Sequence, residues 1–172
     1  LIRIIDVPVY ASVDFEKRLH ESLLKNGFSE KDFDILTHPA YETFHQRRTK
    51  DLFLLAMGKI DMKTFKKRWE WSRMGIFKYI ALDDDFINSE LEGIDDPKKE
   101  AALLEKNFNS SCEKINELKS KLPDNLAVMA ELFQKLLYIR DYRFEMLLRG
   151  CFNCHGLLCD IAKRIGVSYH EI

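Results

Sequence analysis

Cys151-Phe152-Asn153-Cys154-His155 matches a cofactor pattern, the C-x-x-C-H attachment site of c-type haem. Cys151, His155 and Cys159 also recur every four residues. On a helix that spacing puts them on one strip, so a Cys/His zinc set is the second chemistry on offer. Haem attachment belongs to exported proteins, and neither a secretory leader nor an axial-methionine loop accompanies the motif. One straight helix rarely encloses a tetrahedral ion. Cys151 and Cys154 fall on an apolar row of the same helix, where a free cysteine serves as a small hydrophobe. The reading is core cysteines and no metal, with zinc on Cys151, Cys154, His155 and Cys159 as the minority alternative.

Arg140 is the second anomaly. The row Leu126, Met129, Phe133, Leu136, Arg140, Phe144, Leu147, Cys151, Cys154, Leu158, Ile161, Ile165 advances by three or four residues at each step. That spacing marks the buried seam of a long helix, and Arg140 is its one charged member. A buried guanidinium needs a carboxylate, carbonyls or an anionic ligand, and Arg143 lies one turn away. An internal salt bridge and a phosphate or carboxylate site are both open. Trp69 and Trp71, close to Phe65, suit a core anchor or a pocket wall beside a loop. Asp83-Asp84-Asp85 reads as helix capping before it reads as a magnesium site. The five histidines form no HExxH, HxH or Ser/His/Asp arrangement.

The elements that would position these residues are helices. Gly (7) and Pro (4) total 11 of 172 residues, roughly half the usual share. That scarcity excludes collagen-like, linker-rich and many-turned β-sandwich chains. Neither GxGxxG nor GxxxxGK[ST] occurs. Hydrophobic residues at 46% and charged residues at 32% describe a globular chain. Lys+Arg 27 against Asp+Glu 28 gives a net charge of −1. Without a basic excess, nucleic acid is not an expected partner. The densest cationic cluster, Lys63 with Lys66-Lys67-Arg68, reads first as a solvated helix face. No apolar run approaches the roughly 18–20 residues of a membrane span. Four cysteines with no secretory signal point to the cytoplasm.

The fold expected is all-α. Ile2 to Val13, β-branched around Pro8, reads as extended or irregular, with Asp14 capping a first helix that ends at Gly27. Ser29 with Asp32 opens a second helix, closed by His38-Pro39. Helices follow over about Thr43–Met57, from Asp61 (carrying Phe65, Trp69 and Trp71), and from about Asp85 to Gly93, with an irregular connection from Gly75 to Asp85. Asp96-Pro97 then starts a long antiparallel helical hairpin, about 97–122 and 124–165. The organisation expected is one helical domain over 1–172, with a short-helix half (1–95) and a long-helix half (96–172). Gly150 and Gly156 mark places where the last helix bends or admits a neighbour. Ser168-Tyr169-His170-Glu171 spells a further capping box, which suggests a chain excised from a longer multidomain protein.

The order of motifs carries a resemblance. Leu23-Leu24-Lys25-Asn26-Gly27-Phe28-Ser29-Glu30-Lys31-Asp32 is followed by Leu36-Thr37-His38-Pro39, the Asp51-Leu52 helix and Lys66-Lys67-Arg68-Trp69-Glu70-Trp71. Leu137-Tyr138-Ile139-Arg140-Asp141-Tyr142-Arg143 and Asp160-Ile161-Ala162-Lys163-Arg164-Ile165-Gly166-Val167-Ser168 come later. From about Leu19 to Ile172 this succession resembles the helical middle region of phosphoenolpyruvate-utilising phosphotransferases, the phosphoenolpyruvate synthase and pyruvate phosphate dikinase group.

The resemblance implies a parent enzyme that uses ATP and magnesium and transfers phosphoryl groups through a mobile histidine. It implies flanking ATP-grasp and phosphohistidine domains as partners. The chain itself carries neither the glycine-rich loop nor the T-S-H-A-A-x-x-A-R-x-x-G-x-P signature, so it is not catalytic alone. Many relatives have a histidine near the position of Phe65, a role this sequence would not share. In some relatives this region forms the pocket for a small-molecule acceptor, which would give Arg140, Arg143, Trp69 and Trp71 a substrate-facing role. The alternative is a non-catalytic helical interaction or regulatory module.

Overall fold

Most helices begin and end where side chains or a glycine can satisfy their orphan backbone groups. The computed structural model describes residues 2–74 and 79–168, with side chains from Val13 onward. Among the described residues it holds no strand and seven α-helices: α1 (Ile2–Lys25), α2 (Glu30–Thr37), α3 (Phe44–Ala56), α4 (Met62–Trp69), α5 (Asp84–Glu92), α6 (Pro97–Lys121) and α7 (Asp124–Ile165). A 3-10 turn over Glu70–Arg73 follows α4. The fold is all-α.

Ser29 caps α2 through a reciprocal box: its hydroxyl accepts from the Asp32 N–H, and Asp32 accepts from the Ser29 N–H at 2.7 Å. Those bonds, with the Ser29 hydroxyl as first donor, hold the Asp32 carboxyl below its ordinary range. Asp61 and Asp83 cap α4 and α5 one way, their carboxylates accepting from the Thr64 and Phe86 N–H groups. Thr43 and Gln46 form an equivalent box on α3. Gly27, Gly58 and Gly166 take the left-handed conformation that closes α1, α3 and α7.

Three expectations give way. Ile2 to Val13 is helical, not extended, and Asp14 lies inside α1, paired with Arg18 at 2.8 Å. β-branched residues lower helix propensity only by tenths of a kcal/mol each, and no glycine interrupts the run. Pro8 deprives α1 of one backbone hydrogen bond without ending it. Of the two roles expected of Gly150 and Gly156, the admission of a neighbour fails, since a side chain added at either meets open space. Trp71 belongs to the 3-10 turn and not to α4. Residues 75–78, at the start of the expected irregular connection, and Tyr169–Glu171 of the last capping box lie outside the described residues.

The chain forms two compact units, Leu1–Gln46 with Ala102–Tyr142 and Arg47–Ala101 with Arg143–Ile172. In the first unit, Leu19, Leu23 and Leu36 pack with Ile115, Leu118, Leu122, Leu126, Ala130, Phe133 and Leu137 into one core. In the second, Phe65, Trp69, Trp71, Ile87, Leu148 and Ala162 are among the buried apolar side chains.

Helix α7 corrects the predicted seam. It buries Leu126, Ala130, Phe133, Gln134 and Leu137 in the first unit, and Glu145, Leu148 and Ala162 in the second. Beyond Phe133 this row lies one residue C-terminal to the expected one, about 100° around the helix. Both rows are rich in apolar residues, as the adjacent pairs Leu136/Leu137, Leu147/Leu148 and Ile161/Ala162 show, so spacing alone does not choose between them. Arg140 and Cys154 thereby move to the exposed side, and Cys151 is half-buried.

Candidate functional site

Glu145 is the most deeply buried charge among the described residues, with 6% of its surface exposed. Two arginines reach it from different helices of the second unit. Arg47, on α3, donates from Nη2 to Oε2 at 2.5 Å. Arg149, one turn along α7, donates from Nε and Nη2 to Oε1 at 3.0 and 2.9 Å. A carboxylate taken from water requires such charge-assisted bonds to offset its desolvation. Both guanidinium side chains stay about 40% exposed, so the cluster presents two cationic heads on one buried anion, a net positive charge.

Trp71 completes the arrangement. The Arg149 guanidinium carbon sits 4.1 Å from the centre of its ring, within cation–π range. The indole N–H donates to the Arg68 carbonyl at 2.7 Å, which fixes the ring plane. Trp69 lies beside it, ring centres 5.7 Å apart, and donates to Asp51 Oδ2 at 2.8 Å. Asp51 also accepts from Arg68 at 3.1 Å. Arg149 is thus held on both sides, by a carboxylate at its edge and an indole at its face. Such a head is a preorganised binder of a carboxylate or phosphate oxygen.

The four residues singled out for substrate contact divide between the units. Arg143, Trp69 and Trp71 belong to the second unit; both tryptophans are buried and Arg143 is half-buried. Arg140 belongs to the first unit and is exposed, contrary to its expected place on a buried seam. There its charge acts on Tyr41, whose hydroxyl is pushed up to about 12, first by burial and then by Asp141, with Arg140 pulling the other way.

Among the described residues, no three His, Cys, Asp or Glu side chains are placed to hold an ion. Cys154 is exposed. His155 stacks on Tyr79 with ring centres 4.1 Å apart, and Cys159 Sγ lies 3.6 and 3.8 Å from its two ring nitrogens. A sulfur nearly equidistant from both nitrogens does not lie along either lone pair. In the acidic run, Asp83 caps α5 and Asp84 pairs with Lys66 at 2.8 Å. Two of its three carboxylates are therefore occupied.

Sequence reasoning missed Arg47, Glu145 and Arg149. The signal available was the row Leu137, Asp141, Glu145, Leu148, in which two acidic residues keep helical register with buried leucines. Acidic residues in such a row read as surface until a cation from another helix is known to meet them.

No protein-family model, curated protein or solved structure matches the chain. No helix among the described residues is long and apolar enough to cross a membrane.

Proposed function

We propose that this chain is the helical linker and acceptor-binding domain of an ATP-dependent phosphotransferase of the phosphoenolpyruvate synthase and pyruvate phosphate dikinase type. The observation that carries the acceptor role is the guanidinium of Arg149, clamped between Glu145 and the Trp71 ring with Arg47 on the same carboxylate. The order of sequence motifs supports the family, and the all-helical architecture is compatible with it.

In this reading the acceptor's carboxylate or phosphate oxygen meets the exposed edge of the arginine pair. Arg143, Trp69 and Trp71 shape the ground around it. The phosphoryl group comes from ATP and magnesium held by a flanking ATP-grasp domain and arrives on the mobile histidine of a phosphohistidine domain. The residues here suit neither of those tasks: no glycine-rich loop is present, and the acidic run is engaged at α5. The parent enzyme works in the cytoplasm.

The test is an assay of the polypeptide that carries this chain together with those domains. ATP-dependent phosphorylation of a small carboxylate acceptor such as pyruvate is the expected result. A carrier polypeptide without ATP-dependent transfer activity would sink the reading.

The alternative, a helical protein-interaction or regulatory module, draws on a different observation. Helix α7 leaves Val128, Leu132, Ile139, Leu157 and Ile165 between 46% and 63% exposed, more large apolar surface than one helix usually shows to water.

A further inference from the structure

A second polar site lies in the first unit, where a buried glutamine holds a turn rigid. The Gln134 side-chain amide donates to the Leu36 carbonyl at 2.6 Å and the His38 carbonyl at 3.0 Å, and its oxygen accepts from the Ala40 N–H at 2.9 Å. Three bonds from one buried side chain thus fix the backbone of the His38-Pro39 turn. The imidazole is fixed as well. Its Nδ1 lies 2.7 Å from the Asp34 carbonyl, and a carbonyl only accepts, so Nδ1 carries the proton. In the neutral ring Nε2 is then a lone-pair acceptor with its orientation set.

His38 and Ser111 line two adjoining hollows of about 110 and 120 Å³, each with room for about four waters. Asn107, Ser111 and Lys114 stand along one face of α6, and none of their three side chains has a hydrogen bond or ion pair among the described residues. Gln46 spends its side-chain oxygen on Thr43, which leaves its NH₂ as a donor at the hollow. Phe108 supplies an apolar wall. The lining therefore offers one cation, several neutral donors and one oriented acceptor.

We infer that this cleft binds a small oxyanion that also carries an O–H group, the chemistry shared by hydrogen phosphate, phosphate monoesters and hydroxycarboxylates. The anionic oxygens face Lys114, Ser111 and the amides, and the O–H donates to His38 Nε2. The inference does not rest on the phosphotransferase reading, because none of its residues belongs to the arginine cluster. An oxyanion without a proton fits poorly, since it would bring lone pairs against the lone pair of Nε2.

The experiment follows the histidine ring resonances of the chain by NMR in mildly alkaline buffer during titration with inorganic phosphate, then with sulfate at matched ionic strength. His20, paired with Glu30 at 2.7 Å, is the internal reference. Expected are a saturable shift of His38 with phosphate, little shift with sulfate, an unmoved His20 and at least tenfold weaker binding in Lys114→Met. Lys114 is exposed, so that variant keeps its fold. No shift of His38, equal response to sulfate, parallel movement of His20 or unchanged binding in Lys114→Met would each overturn the proposal.

Discussion

At the residue scale, the second unit turns on Glu145. Its carboxylate accepts three charge-assisted hydrogen bonds from two guanidiniums. Hydrogen bonds to charged groups contribute about 1.5–3 kcal/mol each when fully desolvated. Here both arginines stay well exposed, so screening reduces that sum. Glu145→Gln is expected to lower unfolding free energy by about 2 kcal/mol, measured by urea titration. A change below about 0.5 kcal/mol, the scale of ordinary surface substitutions, would show that the cluster is not held together by charge.

Tyr41 supplies a pH test in the first unit. Its hydroxyl is raised from 10.0 to about 12, so between those values the folded chain binds a proton that the unfolded chain has released. Stability must therefore fall as pH rises through that window. Ultraviolet titration should show Tyr41 ionising above its ordinary value, and later still in Arg140→Met, because Arg140 favours the phenolate. An unchanged titration in that variant would mean that Arg140 does not act on Tyr41.

At the element scale, turns and caps were legible and the rotation of α7 was not. Ser29 with Asp32, Gly27, Gly58, Asp61 and Gly166 act over three or four residues of their own backbone, so sequence alone locates them. The buried face of α7 depends on which of two apolar rows meets its neighbours, a property of other helices. The adjacent leucines Leu136 and Leu137 carry no information about that choice. The same gap hid Gln134, which reads as a surface residue until the Leu36 and His38 carbonyls at the end of α2 are brought to it. Gln134→Leu leaves the Leu36 and His38 carbonyls and the Ala40 N–H without their partner. The expected cost is about 1–3 kcal/mol, with faster amide exchange at Ala40. Unchanged exchange there would show that the turn is held by something other than Gln134.

At the scale of the whole molecule, each unit combines an early and a late segment of the chain. The core of the first unit joins Leu19, Leu23 and Leu36 to residues between Ile115 and Leu137. A fragment of residues 1–95 retains only the first three of these. It is expected to show helical signal without cooperative thermal unfolding. A sharp cooperative transition in that fragment would mean that its helices form a core without their late partners.

The central claim is that the arginine pair on Glu145 receives an anionic acceptor in a larger phosphotransferase. It is tested most directly by steady-state kinetics of the carrier polypeptide with Arg149→Met. The account predicts at least a tenfold rise in KM for the carboxylate acceptor, with ATP-dependent phosphorylation of the enzyme itself unchanged. An acceptor KM equal to that of the wild type would contradict it.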